Sequence, residues 1–130
     1  MCYFASPAYL EKKGEPHHPS DLTEHDCITY SLTNPAHIWH FGEHKYEVNQ
    51  AMTSDSPELI VALAISGLGI AAMPRWMVEN AFAKGQLTEL FSAQPTLSLP
   101  MYAVYKNEEY LPYRIRAFID FLSAYFDVEK

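Results

Sequence analysis

Apolar residues fall into short runs separated by clusters of Pro, Gly, Ser and Asp, and the runs alternate between strand length and helix length. Residues 1–5 (MCYFA) are apolar and β-prone, and Ser6-Pro7 ends them, which predicts a strand followed by a turn. Pro7 suits the first turn of a short helix over 7–13 that Gly14 stops. After a loop over 14–20, Ser20-Asp21-Leu22 opens a short turn or helix, and Cys27–Tyr30 reads as a second apolar strand. Turn residues fill Ser31–Pro35. His37–Phe41 and Lys45–Val48 then suggest a hairpin around Gly42-Glu43-His44, with a short strand at Ala51–Ser54.

The best-marked helix follows. Ser56 is placed as its N-cap, Pro57 as its first residue and Glu58 as the acidic residue of its first turn, with Gly67 as its stop. Gly69–Pro74 reads as a buried strand, Arg75–Ala83 as a helix closed by Gly85, and Leu87–Phe91 as a short strand. Leu99–Tyr105 reads as an apolar strand, 106–111 as a polar loop, and Pro112 opens a long helix to about Phe126. Short strands alternating with helices predict an α/β fold, a mixed sheet flanked by helices.

Two helices carry more apolar surface than one sheet face needs. Leu59–Ile65 is apolar all round, so one face is expected on its own sheet and the other on a partner. Leu59, Ile60 and Leu63 are the candidate interface residues there, and a helix sandwiched within this chain is the alternative. In the last helix Ile115, Phe118, Ile119, Leu122 and Phe126 form a stripe too wide for a free surface helix. Phe118 and Leu122 therefore join the interface candidates, and self-association or a swapped helix is expected.

Composition narrows the function classes. With 130 residues, of which 48% are apolar and 14% aromatic, the chain has enough material for one core. Nine Lys and Arg against sixteen Asp and Glu, a net charge of -7, argue against direct contact with nucleic acid. Cys2 and Cys27 form no C-x-x-C pair and read as buried thiols of a reducing compartment. There is no signal-peptide pattern and no membrane-length apolar run, so a cytoplasmic setting is expected. His37-x-x-His40-x-x-x-His44, with His17, His18 and His25, invites a metal. The aromatic and β-branched neighbours favour strands, which point His37 and His40 to opposite faces, so neither a metal nor another cofactor is expected. No nucleophile elbow, phosphate loop or paired-carboxylate context marks a catalytic residue, and the expectation is a binding protein and not an enzyme.

Three stretches, in order and at matching spacing, carry a resemblance. The first is Ala5-Ser6-Pro7-Ala8-Tyr9-Leu10 with Gly14, Pro16, Pro19, Asp21-Leu22 and His25-x-Cys27. The second is Ser54-Asp55, Ala62–Ile65, Gly67-Leu68-Gly69-Ile70-Ala71 and Met73-Pro74. The third is Leu99–Tyr105 followed by Arg114-x-Arg116-Ala117-Phe118-Ile119-Asp120-Phe121-Leu122. Over roughly residues 1–126 the chain resembles the effector-binding domain of LysR-type transcription regulators. The resemblance implies a fold like type II periplasmic binding proteins. Residues 1–105 would form the second regulatory subdomain with its crossing strands, and 106–130 the C-terminal helix of the first. It also implies that the DNA-binding domain, linker helix and most of the first subdomain of a full regulator are absent from this chain.

The same resemblance implies a small effector, often a carboxylate, in a cleft between subdomains, and homodimers or larger assemblies. The matching positions are Ser6 and Pro7, then Ser31, Leu32, Thr33 and Asn34, then Ser54, Asp55, Ser56 and Pro57. The helix N-terminus at Ser56-Pro57 agrees physically, since free amides there favour an anion, although Asp55 opposes one and Ser56 as a plain cap explains the residue equally well. A solute-binding domain without a transcriptional role, a small enzyme on a related scaffold and a pure interaction module stay open as alternatives.

Overall fold

The computed structural model describes residues 1–106 and 111–127. Its elements are β1 (Cys2–Ala5), α1 (Pro7–Lys13), a 3-10 turn (Pro19–Glu24), β2 (Cys27–Tyr30), β3 (Ile38–Phe41), β4 (His44–Glu47), β5 (Gln50–Ser54), α2 (Pro57–Ile65), β6 (Ile70–Met73), α3 (Arg75–Ala83), β7 (Thr88–Leu90) and α4 (Tyr113–Asp127). They fall into two units, Met1–Leu99 and Pro100–Lys130.

The first unit is built on a five-stranded mixed sheet in the order β5-β2-β6-β1-β7, with β3-β4 as a separate hairpin. β5, β2 and β6 run parallel, while β1 is antiparallel to both β6 and β7. The inner strands β2, β6 and β1 are near-continuous apolar runs because both faces are covered, whereas the edge strands β5 and β7 carry exposed polar residues. Alternation sorts their side chains into two layers. Tyr3, Ala5, Ile70 and Ala72 face a cluster with Tyr9, Leu22, Trp39 and Phe41. Cys2, Phe4, Ala71 and Met73 face a second cluster with Ile60 and Ala64 of α2 and Val78 and Ala81 of α3.

Capping chemistry sets the helix ends. The Ser6 Oγ accepts from the Tyr9 amide at 3.1 Å at the start of α1, and the Ser56 Oγ accepts from the Leu59 amide at 3.3 Å at the start of α2. Gly67, at φ +84°, turns the chain out of α2 in the left-handed region. Gly69 is required for a different reason: a Cβ there would lie 2.6 Å from the Asp26 carbonyl, where β6 begins beside β2.

Leu99–Tyr105, expected as a strand, takes no strand conformation. Apolar alternation alone does not make a strand, which exists only by sharing a hydrogen-bond ladder, and no strand among the described residues pairs with this segment. The polar loop expected over 106–111 lies largely outside the described residues. The second unit's one described helix is α4, on which Ile115, Phe118, Ile119 and Leu122 recur at helical spacing.

Candidate functional site

One edge of the sheet gathers the carboxyl ends of β5, β2, β6 and β7 and, because β1 runs the other way, the amino end of β1. α2 and α3 both start from this edge. In open α/β sheets such an edge is where ligands bind, since strand ends leave a crevice and helix N-termini point at it.

A cavity of about 320 Å³ lies here. Strand residues Tyr3, Ile28, Tyr30 and Met73 line it from the sheet, and Ile38, Trp39 and His40 line it from the hairpin. Thr33, Pro57 and Met77 come from the loop after β2 and the first turns of α2 and α3. The Tyr3 ring stacks on Phe41 at 4.2 Å between centroids and leans on Trp39 at 5.5 Å. Its hydroxyl donates to the His40 carbonyl, so the hairpin is tied to the sheet beside the cavity. Burial pushes the Tyr3 phenol up to about 12, so it remains a donor.

The expected site residues divide. Ser31–Asn34 and Ser54–Pro57 lie together, because β2 and β5 are paired neighbours and the Ser31 amide donates to the Ser54 carbonyl at 2.9 Å. Thr33 and Pro57 line the cavity. Leu32, Asn34 and Asp55 are exposed. Ser54 and Ser56 spend their hydroxyls locally: the Ser54 Oγ accepts from the Ser56 amide at 3.0 Å, and the Ser56 Oγ donates to the Glu58 carboxylate at 3.3 Å.

Ser6 and Pro7 are the exception. They follow an antiparallel strand and so sit at the opposite edge of the sheet, beside the Gly67–Gly69 turn. Ser6 is buried there as a helix cap. The resemblance grouped them with the others, and the reversed direction of β1 carries them to the other end of the sheet. Ile60, expected at an interface, is likewise enclosed in its own core, whereas Leu59 is 48% exposed and Leu63 half-buried. The reason is the helical period, which aims Ile60 and Ala64 at the sheet and Leu59 and Ala62 away from it. Sequence reasoning missed Tyr3, Tyr30, Trp39, Met73 and Met77; a lining drawn from both layers of the sheet leaves no local signature.

The LysR substrate binding domain family matches residues 1–127. The chain belongs to this family. Similar proteins are named as transcriptional regulators. The regulator CrgA of Neisseria meningitidis (serogroup C, strain 8013) is 32% identical over 122 residues, covering 91% of this chain and 41% of that protein. The activator TtdR of Escherichia coli K12 is 28% identical over 126 residues, covering 93% and 40%. This LysR substrate-binding chain thus spans about two fifths of the length of the curated relatives it matches. Among solved structures, the CrgA regulatory domain from Neisseria meningitidis superimposes with a TM-score of 0.80 at 30% identity, covering 93% of this chain and 61% of that one. The regulatory domain of AphB from Vibrio vulnificus has the same fold, with a TM-score of 0.73 at 24% identity, covering 95% and 63%.

Other chemistry in the LysR substrate-binding chain is muted. Burial pushes the Cys2 thiol up to about 11 and the Cys27 thiol up to about 12, away from the thiolate that reacts. Among the described residues no group of three or more His, Cys, Asp or Glu is arranged to hold a metal. No helix among them is long and apolar enough to cross a membrane.

Proposed function

We propose that this chain is the effector-sensing portion of a LysR-type transcription regulator, with the cavity at the carboxyl ends of β2 and β6 as its small-molecule site. The observation that carries the reading is the convergence of strand ends and two helix starts on one apolar cavity, in a chain of this family. Residues 1–105 act as the second regulatory subdomain and 106–130 as the C-terminal helix of the first. A small molecule that favours one arrangement of the subdomains over another shifts how an assembly of such chains presents DNA-binding domains carried elsewhere in the parent regulator. The chain works in the cytoplasm, associates with copies of itself, touches neither nucleic acid nor membrane directly, and catalyses nothing.

The expectation of an anionic effector rests on the resemblance and, in this chain's own geometry, on the start of α2. A library of small metabolites assayed by melting temperature tests the site. A true effector at a hundred times its dissociation constant adds about 2.7 kcal/mol to stability, and Ala36→Trp, placed on the cavity wall, should abolish that shift while the chain stays folded. If no compound raises the melting point, or if hits act equally on the filled variant, the cavity is not the effector site.

A further inference from the structure

We infer that this cavity selects an uncharged, largely apolar ring compound and rejects small carboxylates. The inference rests on reading the cavity as the effector site and adds the ligand's chemical class. Four observations support it.

The wall contains no Lys or Arg among its lining residues. Its polar side chains, Tyr30, Thr33 and His40, offer hydrogen bonds along a mainly hydrocarbon, thioether and aromatic surface. The one cationic group on a lining residue is the Met1 amino group, and it already donates to the Leu97 carbonyl at 3.3 Å, so a carboxylate entering the cavity sheds water without a free side-chain cation to receive it, which is costly in an apolar site.

The N-terminus of α2, which ordinarily attracts an anion, is already served. Glu58 brings a carboxylate into its first turn, the Ser56 Oγ accepts from the Leu59 amide, and the Ser56 hydroxyl donates to Glu58. Asp55 adds a second negative charge at the same edge. The favourable end of the helix dipole is thereby spent inside the chain, and a further anion meets repulsion.

The cation at the start of α3 is engaged too. Arg75 forms an ion pair with Glu89 of β7 and lies 5.7 Å from the Phe82 ring centre.

Finally, the surfaces that do reach the cavity suit a flat ring. Trp39 and the thioethers of Met73 and Met77 line it together, and sulfur and aromatic edges attract ring faces and edges. Its volume, about 320 Å³, lies at the small end of ligand sites, which run from about 300 to 1,000 Å³.

The test compares isosteres that differ in charge: benzamide with benzoate, and 2-naphthamide with 2-naphthoate. The chain is labelled on Met and Ile methyl groups and titrated by NMR. The amides should move the Met73, Met77 and Ile28 methyl signals with dissociation constants at least about tenfold below those of the matched carboxylates. Thr33→Arg, which adds a cation at an exposed position of the wall, should remove or invert that preference. Carboxylates that move the same methyl signals as tightly as the amides overturn the charge assignment and leave the cavity as the effector site. If none of the four probes moves those methyl signals at millimolar concentration, both this inference and the effector-site reading fall.

Discussion

At the scale of single residues, the group most sensitive to conditions is His25, between the 3-10 turn and β2. The Tyr9 hydroxyl accepts from the Asp26 amide at 3.1 Å and is hydrogen-bonded to Nδ1 of His25, 2.9 Å away. Burial lowers the affinity of His25 for a proton below the ordinary value of 6.5; Asp21, Asp26 and Glu24 oppose the shift and Lys13 reinforces it. The sign follows from linkage. Above about pH 6.5 neither the folded nor the unfolded chain protonates this site, and the full stability is present. As pH falls below that value the unfolded chain takes a proton that the folded chain refuses, so stability is lost until the depressed folded value is passed. Urea midpoints between pH 7.5 and 5 should therefore drop more steeply for the parent chain than for His25→Gln, whose amide is polar and does not titrate in this range. Parallel profiles would assign the acid sensitivity to carboxylates instead.

At the scale of elements, α2 separates capping, core and surface on one helix. Ser56→Ala removes a cap and should cost about 0.5–2 kcal/mol. Ile60→Ala opens a hole in the core and should cost about 2–5 kcal/mol. Leu59→Glu alters a position exposed in the single chain and, at concentrations low enough to keep the chain monomeric, should stay within roughly 0.5 kcal/mol of the parent. Urea unfolding by linear extrapolation ranks the three, and a Leu59 variant as damaging as the Ile60 one would mean that the outer face of α2 is buried after all. The same helix marks what the sequence discloses. The starts of α1 and α2 are legible because Ser-Pro caps are local chemistry, and β1 and β6 are legible as buried runs. Strand direction is not, since a period of two reveals which faces a strand shows and never which way it runs. Ser6, grouped with Ser56 by the resemblance, lies at the other end of the sheet for that reason, and Leu99–Tyr105, read as a strand from its apolar run, lacks a ladder partner among the described residues. The cavity was hidden for a related reason: Tyr3, Trp39 and Met77 stand far apart in sequence and meet only through the order of the sheet and the seating of the hairpin.

At the scale of the whole molecule, each unit carries apolar surface that its own elements leave uncovered. In the first unit Leu59 and Ala62 are exposed on α2, with Ala62 small enough for close approach, while Leu63 is half-buried against the core. In the second, Phe118 and Leu122 lie on the stripe of α4, and that unit's described residues supply no second layer to cover it. Burying each such side chain is worth about 1.5–3 kcal/mol, so association requires several of them at one contact to outweigh the entropy lost when two copies join. Light scattering across a tenfold concentration range should give a mass of at least two chains. Leu59→Glu and Phe118→Glu, made separately, identify the surface responsible. A variant of only one helix that yields monomers assigns the contact to that helix; partial loss in both assigns it to the two together. A parent chain that is monomeric throughout the range would remove self-association from the functional reading and leave ligand capture in the cavity to stand without it.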